Sequence, residues 1–239
     1  TASKPGGEGV PETGSAEVDV VAPSSPPLSI PSSPPSVPSP SLRCLPHAYL
    51  HAGGLLHTSL ILPNTRSSPG AEMASVLSSA RSILNDLGCT PRDVLSVHLY
   101  LADMAAFKAM NGPYAAFFGS TCPPSRICVA LGPGSRHAVA LDLVAQRGSG
   151  DALRHPPPGG TGAGPPLRAN LHVQSRSAWA PTCVGPYSQS NSVRGCLSFL
   201  AGTIGLDPFS MSLVPGGWRA ELRQSWTNAA AVLDAVGTS

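Results

Sequence analysis

Two stretches rich in proline, serine and glycine limit what this chain can fold into. From Pro23 to Pro40 and from Gly148 to about Pro166, too few apolar side chains are present to offset the entropy of ordering a backbone. The sequence therefore predicts a disordered or loosely polyproline-like linker over 1–45 and a globular segment over 46–147. A second Gly/Pro-rich linker follows over 148–169, and a shorter globular segment over 170–239.

Composition excludes several function classes for a chain of 239 residues. Charged residues make up 12% of it, the formal net charge is +2 and no basic cluster is visible, so nucleic acid is not an expected partner. No apolar run approaches the roughly 18 residues of a membrane span. The opening residues are small and polar, not a secretory apolar region. A cytoplasmic chain without a membrane partner is expected. It opens at Thr1 and reads as a fragment or a processed product. Six cysteines are present and none forms a C-x-x-C pair. A zinc ribbon is therefore not expected, and reduced, buried thiols are. His47, His51 and His57 suit no single helix face and have no acidic neighbour, so no metal site is expected. Lys4 and Lys108 are the only lysines, which excludes a G-x-x-x-x-G-K-[ST] phosphate loop. Gly159 to Gly164 lies among prolines and reads as linker.

The longer globular segment reads as mixed α and β. Leu55 to Leu62 is an apolar strand ended by Pro63-Asn64. Gly70 to Leu87 is a helix, because Met73, Val76, Ala80, Ile83, Leu84 and Leu87 recur at three- and four-residue spacing. Gly88 is placed to cap it and Pro91 prevents its continuation. Asp93 to Leu101 is a strand with Leu95, Val97, Leu99 and Leu101 on one face, and Val94, Ser96, His98 and Tyr100 on the other. Asp103 can cap a second helix carrying Met104, Phe107, Met110, Tyr114 and Phe118, with a kink or break expected at Pro113. Strands Arg126 to Leu131 and His137 to Gln146 follow. The order β-α-β-α-β-β fits an α+β sandwich with two helices on one face of a sheet.

The second segment repeats the first. A constant offset without gaps sets Ala71-Glu72-Met73 on Ala220-Glu221-Leu222. The same offset sets Ala80 on Ala229, Ile83-Leu84 on Val232-Leu233, and Leu87-Gly88 on Val236-Gly237. A strand precedes each helix, over Leu55 to Leu62 and over Cys196 to Gly202. The second copy carries one clear strand and one helix. So small a unit cannot bury a core by itself and must pack on the first copy or on another chain.

Several motifs carry a resemblance. Tyr100-Leu101-Ala102-Asp103-Met104, Asn111, Tyr114, Phe117-Phe118 and Pro123-Pro124-Ser125-Arg126 together resemble the RidA/YjgF family of imine deaminases. Trp179-Ala180-Pro181 with Gly185-Pro186-Tyr187-Ser188-Gln189 resembles that family's opening motif. Ala201-Gly202, with Leu206-Asp207-Pro208, resembles its first hairpin. The opening motif follows the Pro-x-Arg motif here, so two copies stand in tandem, one complete and one truncated. The implied fold is the RidA-like, chorismate-mutase-like sandwich. The tandem, with Leu171-His172-Val173-Gln174-Ser175 before Trp179, resembles the C-terminal region of the diphthine–ammonia ligases. That resemblance implies ATP-dependent amidation of diphthine on elongation factor 2 by a separate N-terminal domain. Its S-G-G-K-D-type loop has no match in this sequence, so ATP is implied for that domain and no cofactor for this chain. Non-catalytic regulation or assembly is one implied role, and imine deamination is the other.

The resemblance also implies a site. Arg126 matches the arginine that binds the substrate carboxylate, and a guanidinium is a rigid fork suited to that task. The bland alternative is a solvated arginine at a strand end. Asp142 matches a carboxylate that holds the attacking water, where the family usually has glutamate. The shorter side chain draws the carboxylate back by about 1.3–1.5 Å, a displacement of the size that disturbs catalysis. An ordinary surface acid is the other reading. Asn111 matches a pocket position, or else caps or breaks a helix before Gly112-Pro113. Tyr187 matches the pocket tyrosine but belongs to the second copy. A complete pocket therefore needs pairing of the two copies, or a homo-oligomer, around a small carboxylate ligand. Cys128, two residues after Arg126, is a buried inert thiol unless a cation activates it.

Overall fold

A computed structural model describes residues 43–45, 48–51, 53–132, 134–152, 168–193 and 197–237. The first linker's residues 1–42, Gly159 to Gly164, His47 and Cys196 lie outside them. The first segment forms strands β1 (Arg43–Leu45), β2 (Ala48–Leu50) and β3 (Leu55–Thr58), helix α1 (Pro69–Asp86) and strand β4 (Val94–Leu101). Helix α2 (Phe107–Phe118) and strands β5 (Ser125–Ala130) and β6 (Val139–Gln146) complete it. The strands make one sheet in the order β1-β2-β3-β6-β4-β5, parallel between β4 and β5 and antiparallel elsewhere. The expected β-α-β-α-β-β order is present, preceded by two further strands. Composition assigned Arg43–Leu45 to the linker, but it pairs with β2 because backbone pairing needs no apolar side chain.

Helices α1 and α2 cover one face of this sheet. Met73, Val76, Leu77, Ala80 and Leu84 of α1 are buried against Val97, Leu99 and Leu101 of β4 and Val139, Leu141 and Leu143 of β6. Burial of each larger side chain contributes about 1.5–3 kcal/mol. Gly88 takes φ +68 and closes α1. Its N–H donates to the Asn85 carbonyl (3.0 Å) and the Cys89 N–H to the Leu84 carbonyl (2.8 Å), a two-bond left-handed cap. Gly237 ends the second copy's helix with φ +71. The Glu72 carboxylate is buried and accepts from the N–H groups of Ser67 (3.1 Å), Ala138 (2.7 Å) and Val139 (3.2 Å). It ties the start of α1 to the start of β6.

Three local expectations are corrected. Val94 joins the helix-facing core although alternation sent it to the other face, because the pairing with β6 shifts register between Val94 and Ser96. Helix α2 runs through Pro113 without a break. Met110 before the proline and Tyr114 and Phe118 after it are all buried, so packing offsets the one lost backbone bond. The Ala109 carbonyl, left without its helical donor, faces Gly70, where a Cβ would come within 3.3 Å. Asp103 caps a 3₁₀ turn (Met104–Ala106) instead of α2 itself, accepting from the Ala105 N–H at 2.8 Å.

The second segment holds more strand than its sequence promised. After a short helix α3 (Ser149–Ala152), strands β7 (Arg168–Leu171), β8 (Ser190–Val193) and β9 (Leu197–Leu200) form an antiparallel sheet. Helix α4 (Trp218–Ala235) follows. This unit docks on the free edge of β5. Ser188 donates its N–H to the Pro124 carbonyl (3.2 Å) and its Oγ to the Pro123 carbonyl (2.7 Å). The Gly202 N–H donates to the Arg126 carbonyl at 3.1 Å. Buried Arg168 donates to Asn191 Oδ1 and to the carbonyls of Arg92 and Cys122 of the first copy. Among the described residues, no helix is long and apolar enough to cross a membrane.

Candidate functional site

Arg126 lies where the two copies meet. Its cross-strand neighbour is Val97, which in turn faces Leu143, so its side chain shares the helix-covered face of the sheet. Only 3% of the residue is exposed. Its guanidinium carbon stands 4.7 Å from the Tyr114 ring centroid, 5.0 Å from that of Phe107 and 5.1 Å from that of Tyr187. Three aromatic faces thus surround one cation. Nη1 donates to Asn111 Oδ1 at 3.0 Å, while Nη2 is buried without a hydrogen-bond partner. Gly185 covers it so closely that a Cβ there would lie 2.5 Å from Nη2.

The structure thus brings Arg126 and Asn111 of the first copy together with Tyr187 of the second. Asn111 sits inside α2 with its side chain on the guanidinium and does not cap or break the helix. Asp142 is not part of the group. It pairs with His98, whose other neighbour is Ile127, so it stands on the face of the sheet opposite Arg126. Its carboxylate accepts from His98 Nδ1 (3.0 Å) and Tyr100 Oη (3.0 Å). The expectation that Asp142 holds water beside the Arg126 ligand is therefore overturned. Strand alternation within β6 was legible, but its phase relative to β5 is set by pairing through β4.

A cleft of about 450 Å³ opens beside Arg126. One wall is Met104, Phe107 and Arg126 to Val129 of β5; the other comes from Pro181, Val184, Tyr187, Leu200 to Ile204, Leu206, and Val232 of α4. None of the described residues lining it is acidic. Burial pushes the Tyr187 hydroxyl above its ordinary range, with Arg126 acting weakly against that. Burial likewise raises the Cys128 thiol, with Arg126 opposing, and raises Cys183 to about 12. The neighbouring cation does not outweigh burial, so Cys128 is held as a thiol. Cys89, Cys122, Cys128 and Cys183 are free. Among the described residues, no three His, Cys, Asp or Glu side chains cluster to hold a metal ion. His51 and His57 stack on each other at 5.4 Å.

Residues 47–136 match the Endoribonuclease L-PSP family model. The chain is 31% identical over 160 residues to the diphthine–ammonia ligase of Schizosaccharomyces pombe, covering 64% of this chain and 23% of that protein. It is 36% identical over 134 residues to the Saccharomyces cerevisiae ligase, covering 52% and 18%. The chain therefore spans less than a quarter of the length of the curated ligases it matches. Over 61 residues it is 43% identical to the 2-iminobutanoate/2-iminopropanoate deaminase of Bos taurus, covering 26% of this chain and 44% of the enzyme. A YjgF-family crystal structure from Neisseria meningitidis aligns with a TM-score of 0.40 at 25% identity, covering 42% of this chain and 85% of that one. Over residues 47–136 this chain is similar to the Endoribonuclease L-PSP, or RidA/YjgF, family, and over a longer stretch it is similar in sequence to the diphthine–ammonia ligases.

Proposed function

We propose that this chain is the RidA-like regulatory or assembly region of a cytoplasmic diphthine–ammonia ligase, and that its cleft binds a carboxylate ligand without converting it. The observation that carries this reading is Arg126: a buried cation, an Nη2 without a hydrogen-bond partner, and no acid among the described residues lining the cleft. A buried guanidinium without a counter-ion is costly, and a bound carboxylate relieves that cost through charge-assisted hydrogen bonds. Tyr187 reaches the cation from the second copy, so ligand binding is coupled to pairing of the copies, within one chain or between chains of an oligomer. Amidation of diphthine on elongation factor 2, and the ATP it requires, are assigned to another domain of the ligase.

The alternative is a RidA-like deaminase for 2-imino or enamine acids, favoured by the sequence likeness to the bovine enzyme. Deamination needs a base or a carboxylate to activate water, and the nearest matching acid, Asp142, faces away from Arg126. Ammonia release from 2-iminobutyrate decides between the readings, with Arg126→Ala beside the wild-type chain. Equal, slow release from both is expected. Fast release that depends on Arg126 would overturn the non-catalytic reading.

A further inference from the structure

We infer that the ligand of this cleft is a monocarboxylate with a sizeable apolar body, and not a short imino or keto acid. The inference rests on the carboxylate reading above and names the ligand class. Its first support is size. A cleft of about 450 Å³ falls in the range that holds drug-sized ligands. At about 30 Å³ per water it equals some fifteen waters, far more than a four-carbon acid displaces.

The second support is chemistry. Met104, Phe107, Ile127, Val184, Leu200 and Val232 give the walls their apolar character. The polar side chains among them are already engaged within the protein. Asn228 donates to the carbonyls of Ile204 and Leu206. Gln189 bridges Val173 and Pro181. Thr203 bonds to Ser225. Of the described residues lining the cleft, only Arg126 has a buried polar atom without a partner. One unmatched cation at one end of an apolar cleft specifies one anionic group and a hydrocarbon or aromatic remainder. A dicarboxylate or a sugar acid would leave its further polar groups unpaired against these walls.

Titration calorimetry with acetate, octanoate and 1-octanol tests this on the wild-type chain, on Arg126→Gln and on Ile204→Trp. Ile204 lines the cleft and is 56% exposed, so a larger side chain there narrows the cleft without entering the core. Octanoate is expected to bind at least about a hundredfold more tightly than acetate, which burial of roughly three or four more methylenes supplies. Arg126→Gln should abolish that binding, 1-octanol should bind poorly, and Ile204→Trp should erase the advantage of octanoate over acetate. Equal binding of acetate and octanoate, both lost in Arg126→Gln, overturns the apolar class and leaves the carboxylate site standing. Octanoate binding that survives Arg126→Gln, or is matched by 1-octanol, overturns the anchor and the inference together. Absence of binding by either acid to the wild-type chain does the same.

Discussion

Gly185→Ala is a one-methyl probe of whether the second copy locks the cation. The added Cβ would lie 2.5 Å from Arg126 Nη2 and 3.6 Å from both its Cζ and Asn111 Oδ1. Something must move. An exposed arginine would simply swing away, but this one is 3% exposed and enclosed by the rings of Phe107, Tyr114 and Tyr187. Either the guanidinium shifts and loses its bond to Asn111, or the loop carrying Tyr187 lifts off. A hydrogen bond to a charged donor contributes about 1.5–3 kcal/mol, and overpacking costs about 1–3 kcal/mol. The two overlap, so the expected loss is about 2–4 kcal/mol, or roughly 5–15 °C in Tm for a unit of this size. Calorimetric melting of Gly185→Ala beside Gly112→Ala measures it. Gly112 lies exposed inside α2, and a Cβ there would meet no atom within 4 Å, so alanine should add about 0.5–1 kcal/mol through helix propensity. A loss at Gly185 below about 0.5 kcal/mol, the range of inert surface changes, would refute the argument. It would mean that the loop yields freely and that Arg126 is not held between the copies.

The repeat supplies a matched pair. Met73→Ala empties a fully buried site and should cost about 2–5 kcal/mol in urea unfolding. Leu222→Ala, its repeat partner at 51% exposure, should change stability by less than about 0.5 kcal/mol. Similar losses at the two positions would show that α4 buries its stripe as α1 does. A pH test concerns Cys89, whose thiol is raised from 9.0 to about 11, first by burial and then by Asp93. The native state holds this proton more tightly than the unfolded chain does. Stability from this group is therefore complete below pH 9 and declines as pH rises toward 11. The stability gap between the wild-type chain and Cys89→Ala should narrow over that window. A constant gap from about pH 8 to about pH 11 would contradict the buried-thiol account.

Local chemistry was legible in the sequence wherever neighbours in the chain decide the outcome. The three- and four-residue spacing from Met73 to Leu87 marked α1, and Gly88 marked its left-handed cap, since only backbone and adjacent carbonyls are involved. Motif resemblance singled out Arg126, Asn111 and Tyr187, which the fold draws into one cluster. What pairs across the sheet could not be read this way. Asp142 alternates correctly within β6, yet its side relative to Arg126 depends on register through β4, and that register puts it on the far face. Pro113 argued for a kink or a break, and the break is avoided because tertiary burial of Met110, Tyr114 and Phe118 outweighs one lost backbone bond. Likewise Leu222 and Trp226 sit in the repeated helix and are nonetheless exposed, because a stripe records a preference for burial and only packing supplies the surface that buries it. Local pattern alone determined the long helices and most strands, and motif resemblance singled out the Arg126 cation. Tertiary pairing decided which groups that cation meets, because hydrogen-bond register and packing between distant segments have no local code.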